Sequence, residues 1–294
     1  MLTTPSPMMR AGAGEPLLLL HELMFSWHSW GSCIDELSRY ADVWAPTLPG
    51  HWGGAAPEQG GSVTELVDWI ESLLDTEGIT SIHVAGNGFG AILGADLLRR
   101  RRVRSLTMIA PLGLWPPGTG DARRAADRLI RVHRAAADFG TMASATGDLV
   151  RRVAVGTLLG PMSELGDRAA VRDRLVLTHT APTYCPRVPE LLASSEFDRG
   201  MELPASNRYA VSAWFGGRDG LVRPPAQDRL LSMRRRRPDI DFLADGHHVP
   251  MFGHPGAVVG SIAATLRAVG VQTMSTTTLR KPENGTKDVL AQPY

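Results

Sequence analysis

A glycine-rich turn between an apolar strand and an apolar helix is the first stretch whose residue types and spacing suggest chemistry. Glycine occupies every second position, Gly86, Gly88 and Gly90, in the run Val84–Gly90. A sharp strand–turn–helix of the form G-x-S-x-G holds its central residue in a strained conformation, so that a nucleophilic side chain stands clear of the sheet. The central residue here is Gly88. The sequence therefore predicts the turn but lacks the nucleophile.

The same glycines could instead belong to a dinucleotide-binding turn. That fingerprint requires G-x-G-x-x-G near the first strand and an acidic residue about 20 residues further on. The spacing here is one residue short, and the residues at that distance, Thr107–Ile109, are apolar or neutral. We therefore set nucleotide binding aside, and we expect neither a cofactor nor a metal.

Length and composition are those of an ordinary globular protein. The chain has 294 residues, of which 43% are hydrophobic and 21% charged. This length fits one large α/β domain with an insertion, or two small domains. A formal net charge of +1 gives no reason to expect nucleic acid or an anionic membrane as a partner. The two cysteines, Cys33 and Cys185, imply no disulfide framework, so we expect a cytoplasmic protein. We expect it to be a monomer or homodimer.

Short apolar runs alternate with helical patterns along most of the chain. This alternation favours an α/β fold with a doubly wound, mostly parallel sheet covered on both faces. Ser62 and Glu65 form a capping box for a helix over Val63–Leu74. The predicted strands are Pro16–Leu20, Ala41–Pro46, the run around Ile82–Val84, Leu106–Ala110, Tyr209–Phe215 and Ile240–Leu243, and a last helix is predicted over Gly256–Val269.

The pattern changes from Gly113 to about Leu203, where no convincing strand occurs and Arg/Ala-rich helices follow one another. We predict that residues 113–203 form an all-helical cap whose apolar side chains line a pocket or pack the cap's own small core. The core domain would then comprise residues 15–112 and 204–270. Residues 1–14 and 271–294 would be flexible termini.

Four further segments occur in an informative order: Pro16–His21, Trp44–His51, Trp214–Asp219 and Gly246–Met251. They are similar to the strand that leads into an oxyanion loop, to an A-P-D-x-P-G-H-G loop, to a strand end that supplies a triad acid and to a G-H-x-P segment that supplies a triad histidine. Over roughly residues 15 to 270 the chain thus resembles the α/β-hydrolase superfamily, in which the order is Ser, Asp, His. It looks closest to the capped esterases, C–C hydrolases and biosynthetic thioesterase-like enzymes.

The resemblance implies roles for several residues. His248 would be the general base, with His247 as the less favoured neighbour, and Asp219 would fix the tautomer of the histidine. The backbone N–H groups of Phe89 and of Leu23 or Met24 would be the oxyanion donors.

The sequence differs from the superfamily pattern at two positions, and both differences disfavour ordinary hydrolysis. The nucleophile position holds Gly88, and the His-Gly pair of the superfamily is His21-Glu22. If the side chain of Glu22 points inwards, it disfavours an anion and supplies a second carboxylate for acid–base work. The slightly favoured placement is towards solvent, where it would mean little.

Four functional hypotheses remain open. The preferred one is an enzyme of non-covalent acid–base chemistry, such as elimination, isomerisation, cyclisation or decarboxylation, with the His248–Asp219 pair as its base. The others are a hydrolase inactivated by an engineered serine-to-glycine change, a ligand-binding pseudoenzyme, and direct activation of water. Aromatic residues and methionines in the loops suggest a largely apolar small-molecule substrate of specialised metabolism. The expected contacts are His21, Met24, Phe25, Trp27, Phe89 and Met251, with Trp30 and Trp52 nearby.

Overall fold

In a computed structural model of the chain, the described residues are 7–23, 25–51, 53–56, 62–114, 120, 123–131, 203, 209–222 and 239–272. Among them no helix is long and apolar enough to cross a membrane.

The described residues form a seven-stranded sheet. Its strands are β1 Met8–Ala11, β2 Glu15–Leu20, β3 Ala41–Pro46, β4 Ile82–Asn87, β5 Val103–Ile109, β6 Ala210–Gly216 and β7 Asp239–Leu243. Their spatial order is β1-β3-β2-β4-β5-β6-β7, with β1 antiparallel to β3 and every other pair parallel. The predicted doubly wound, mostly parallel sheet is therefore confirmed.

Helices cover the sheet as the alternation predicts. The helices among the described residues are a 3₁₀ turn at Trp27–Trp30, α1 Gly31–Leu37, α2 Val63–Thr76, α3 Phe89–Arg99, α4 at residues 123–131 and α5 Pro255–Arg267. The connection from β2 to β3 and the connections from β3 to β4 and β5 run in opposite directions across the sheet, so right-handed crossovers place α1 on one face and α2 and α3 on the other. Helix α5 packs against α1. The predicted capping box is present, since Ser62 Oγ accepts from the Glu65 N–H and the Glu65 carboxylate accepts from the Ser62 N–H.

The prediction of a flexible segment over residues 1–14 is wrong for Met8–Ala11, which forms the edge strand β1. The guanidinium group of Arg10 lies 4.2 Å from the centre of the Trp44 ring and donates to Asp42 at 2.8 Å. These are tertiary contacts, which the local sequence pattern does not reveal. Most of the predicted cap, and the tail from residue 273, lie outside the described residues. Helix α4 lies in the predicted cap segment, and its Leu129 is fully buried.

Two glycines of the turn allow the backbone of α3 to approach the strands closely. A Cβ atom on Gly86 would lie 2.4 Å from the backbone of Gly90, and one on Gly90 would lie 2.2 Å from the carbonyl oxygen of Leu20. Because the obstructing atoms are backbone, they cannot move aside as a flexible side chain would. The spacing of the glycines is thus a packing requirement of the β4–α3 junction.

We expect Gly90→Ala to destabilise the fold by about 1–3 kcal/mol, the usual cost of overpacking a close contact. Gly260→Ala in α5 is the matched control, because a Cβ there meets no atom within 4 Å. That control should raise stability by roughly 0.5–1 kcal/mol through helix propensity. Urea denaturation of both variants checks this, and equal effects would contradict the packing account.

Candidate active site

The turn between β4 and α3 has the geometry that the glycine spacing predicts. Strand β4 ends at Asn87, α3 begins at Phe89, and Gly88 lies between them with φ 51° and ψ −105°. The Gly88 N–H donates to the carbonyl of Ile109 at 2.9 Å, which holds the turn against the end of β5. A positive φ at this position favours glycine, and another residue there would be strained.

The carboxylate of Glu22 fills the space that a side chain at position 88 would enter. A Cβ atom on Gly88 would lie 1.3 Å from Glu22 Oε2 and 2.9 Å from His248 Nε2. The favoured expectation that Glu22 points to solvent is therefore wrong, since this residue is fully buried. Its placement depends in part on donors from distant parts of the chain, Phe89 and His248, which a single sequence does not reveal.

Three N–H groups converge on this carboxylate. The Leu23 N–H donates to Oε1 at 2.6 Å, and the Phe89 N–H donates to Oε2 at 3.1 Å. His248 Nε2 lies 2.6 Å from Oε2. The two expected backbone donors, Leu23 and Phe89, are thus brought together, but Glu22 occupies them. Met24, the alternative donor, lies outside the described residues.

The backbone of Glu22 is held by His21. The Nε2 atom of His21 accepts from the Leu48 N–H at 2.9 Å, so the proton of this ring is on Nδ1, which donates to the Glu22 carbonyl at 2.8 Å. His21 is fully buried and links the loop after β2 to the loop after β3. These contacts show that His21 orients the backbone of Glu22.

The predicted contact between His248 and Asp219 is present. His248 Nδ1 lies 2.9 Å from Asp219 Oδ2, while Asp219 Oδ1 accepts from the N–H groups of Leu221 and Val222 at 2.7 and 2.8 Å. Those two donors fix the orientation of the carboxylate. The neighbouring His247 instead contacts the Arg218 carbonyl through Nδ1 at 3.2 Å.

Both ring nitrogens of His248 face carboxylate oxygens, which makes the imidazolium the favoured form. Burial by itself lowers the pKa of His248, but the charges and hydrogen bonds of Asp219 and Glu22 outweigh it and raise the pKa to about 10. At neutral pH the ring therefore carries both protons and donates from Nδ1 and Nε2. In this state neither ring nitrogen is free to accept a proton, so the arrangement does not fit the expected role of His248 as the general base. The carboxylate of Glu22 is the neighbouring group that could accept one.

Comparison with known proteins gives the same fold. The model of the alpha/beta hydrolase family matches residues 14–261, which is most of the chain. This protein is a member of the alpha/beta hydrolase family. The epoxide hydrolase EphH of Mycobacterium tuberculosis is 28% identical over 210 residues, covering 68% of this chain and 92% of that protein.

Further relatives of this alpha/beta hydrolase family protein are also hydrolases. The 2-hydroxy-6-oxo-2,4-heptadienoate hydrolase of Pseudomonas putida is 30% identical over 111 residues, covering 35% of this chain and 40% of that protein. A solved thermophilic esterase from Thermogutta terrifontis has a TM-score of 0.63 at 18% identity, covering 89% of this chain and 93% of the esterase. At that identity the structural likeness shows the fold alone.

The residues expected to line a pocket are mostly buried in the structure. Phe25, Phe89 and Met251 belong to the hydrophobic core, and Trp27 stacks on His28 with ring centres 3.7 Å apart. Trp30 is also fully buried, whereas Trp52, like Met24, lies outside the described residues. That these side chains contact a substrate stays a prediction. Among the described residues, no group of three or more His, Cys, Asp or Glu side chains could hold a metal ion.

Sequence reasoning missed Asn87, the residue directly before the turn. Its Nδ2 group donates to the carbonyl of His248 at 2.9 Å and to that of Ile109 at 3.1 Å. The available signal is a polar side chain at the last position of a buried apolar strand. Such a residue needs hydrogen-bond partners, and the ends of neighbouring strands are where they would be found.

Proposed function

We propose that this alpha/beta hydrolase family protein is an enzyme that performs acid–base chemistry without a covalent intermediate. The reaction class is elimination, isomerisation or cyclisation, and the substrate is a small, largely apolar molecule of specialised metabolism. The observation that carries the proposal is the buried Glu22 carboxylate, which fills the position of the missing nucleophile's side chain and contacts His248 at 2.6 Å.

Glu22 is the base and His248 the acid in this scheme. For an elimination, Glu22 takes a proton from a substrate carbon, and the electron pair of that C–H bond forms the new double bond. The bond to the leaving group breaks, and the leaving group takes the Nε2 proton of His248. Positioned acid–base groups of this kind contribute typically ~10²–10⁴-fold in rate.

The same contact resets the site after each turnover. Glu22 then carries the proton from the substrate, and the Nε2 atom of His248 is unprotonated. The two atoms are 2.6 Å apart, so the proton passes from Glu22 to His248 and restores the carboxylate and the imidazolium. Asp219 holds the ring in place throughout, because the Leu221 and Val222 N–H groups fix its carboxylate and His248 Nδ1 donates to it.

The close packing of the Glu22 carboxylate against Gly88 supports natural divergence over a single engineered change at position 88. A native serine at position 88 would meet Glu22 Oε2, since even its Cβ would lie 1.3 Å from that atom. Gly88 and Glu22 therefore depend on each other. A chain altered only at position 88 would have needed Glu22 in a different place.

Hydrolysis by activated water is the second candidate, favoured by the hydrolases among the relatives. Glu22 would take a proton from water, the resulting hydroxide would attack the substrate, and His248 would protonate the leaving group. The same residues would act, but oxygen from water would enter the product. Reaction in ¹⁸O-labelled water distinguishes the two candidates, because elimination and isomerisation incorporate no label.

To test the proposal, the protein is incubated with a panel of apolar carbonyl compounds and esters. NMR then detects deuterium exchange into the substrate, elimination products and hydrolysis products. We expect Glu22→Gln and His248→Ala each to lower kcat by about 10²-fold or more while ligand affinity is nearly unchanged, since both groups act in the transition state. Glu36→Gln, on the exposed surface of α1, is the matched control. Unchanged turnover in His248→Ala, or an ester adduct on Glu22 found by mass spectrometry, would refute the proposal.

A further inference from the structure

The carboxamide of Asn87 joins the turn that carries Gly88 to the loop that carries His248. These two segments are 161 residues apart in the sequence. The Nδ2 group supplies both of its protons to carbonyl oxygens, that of His248 at 2.9 Å and that of Ile109 at 3.1 Å. Asn87 itself is fully buried, so water does not compete for these bonds.

Only the NH₂ group of the Asn87 amide makes these hydrogen bonds. Asn87 Oδ1 is buried and has no hydrogen-bond partner among the described residues. A buried acceptor without a hydrogen-bond partner is unfavourable and needs an explanation. For Asn87 the explanation is the two hydrogen bonds that its NH₂ group donates, which a residue of similar size without an NH₂ group could not make.

These contacts leave His248 little freedom. The ring is fixed by Asp219 at Nδ1 and by Glu22 at Nε2, at 2.9 and 2.6 Å, and Asn87 fixes the backbone from which the ring extends. Asn87 also lies next to Gly88, whose missing side chain leaves room for the Glu22 carboxylate. One amide therefore sets the position of the histidine relative to the turn.

We propose that Asn87 is a positioning residue, whose amide holds His248 at the distance from Glu22 that proton transfer requires. This inference rests on the proposed acid–base function. Asn87 touches neither the substrate nor the transferred proton in this scheme. Its effect is on geometry, since a misplacement of about 1 Å in a reacting group can lower the rate by roughly 10²-fold.

The experiment measures the ring N–H protons of His248 by NMR in the ¹⁵N-labelled full chain. The wild type should show two strongly downfield signals, assigned by their loss in His248→Gln, because both ring protons are donated to carboxylates. In Asn87→Ala both signals should move upfield or disappear while the amide spectrum of the core is retained. Ser105→Ala is the matched control, since it removes one buried hydrogen bond of 2.8 Å, to His83, and should leave both signals unchanged.

If Asn87→Ala does not fold, Asn87→Leu supplies the second test. It nearly keeps the shape of the side chain but offers no hydrogen-bond donor. The His248 signals should again move upfield or disappear. Signals that persist in folded Asn87→Ala, or in folded Asn87→Leu, would overturn the proposal.

Different measurements test the acid–base function and the positioning role of Asn87. If the enzyme turns over a substrate from the panel, kcat in Asn87→Ala should fall by about 10²-fold with KM nearly unchanged. If the panel gives no turnover at all, the acid–base function is in question, but the NMR signals still report whether Asn87 positions the ring.

Discussion

The double variant Glu22→Gly/Gly88→Ser is expected to hydrolyse activated esters, whereas Gly88→Ser alone is expected to give slow hydrolysis at best. In the single variant, the new side chain enters the space of the Glu22 carboxylate, which also holds the Leu23 and Phe89 N–H groups. Removing Glu22 frees both donors and the Nε2 atom of His248. Serine, histidine, aspartate and oxyanion donors would then be in place together.

The size of this effect follows from the role of the nucleophile. Loss of the catalytic serine costs on the order of 10⁶-fold in serine hydrolases, so recovery of even a small part is measurable. We expect the double variant to exceed each single variant by at least about 10²-fold in kcat/KM on a p-nitrophenyl ester. A fluorophosphonate should add its mass to the double variant and leave the wild type unlabelled.

Adding His248→Gln to the double variant is the control, and it should abolish both the hydrolysis and the labelling. If Gly88→Ser alone were as active as the double variant, Glu22 would not obstruct position 88. The native protein would then be better described as a hydrolase that lacks only its serine.

The fold is predictable because its signals are local and repeated. The sequence predicts strand β3 over Ala41–Pro46, and the structure has the same bounds. The capping box of Ser62 and Glu65 sets the start of α2. Strand β1 is not predicted from the sequence, because Met8–Ala11 is held by contacts between Arg10 and the residues Asp42 and Trp44. Those two residues lie more than thirty positions away in the chain.

The site is predictable in its parts but not in its connections. The order of motifs indicates Asp219 and His248, and the glycine spacing indicates the turn at Gly88. That Glu22 turns inwards depends on N–H groups from three separate segments, at Leu23, Phe89 and His248. In the proposed mechanism His248 acts as an acid because of this one side chain, since a single carboxylate partner leaves one ring nitrogen free to act as a base and two do not.

The second large effect is on the pH dependence of stability. The pKa of His248 is raised from an ordinary value of 6.5 to about 10 in the folded protein. The stabilisation from this proton is therefore fully present below pH 6.5 and is lost as the pH rises through about 10, because the folded state binds the proton more tightly than the unfolded state does. We expect the free energy of unfolding of the wild type to fall across this range.

Glu22→Gln should make that decline shallower, because one of the two carboxylates that raise the pKa of His248 is gone. Urea denaturation at a series of pH values between 6 and 10.5 measures the slopes, and the range is chosen to span the two pKa values of the histidine. His248→Gln supplies the baseline, since it lacks the titrating group altogether. Equal slopes in all three proteins would show that His248 does not bind its proton more tightly in the folded state.

Two features define the proposed site: the Glu22 carboxylate occupies the nucleophile position, and it keeps His248 protonated. The most direct test is a ¹⁵N NMR titration of the His248 ring in the wild type and in Glu22→Gln. We predict an imidazolium in the wild type from neutral pH up to about 10, and a lower pKa in Glu22→Gln. A neutral ring in the wild type at pH 7.5, titrating near 6.5 in both proteins, would contradict the account.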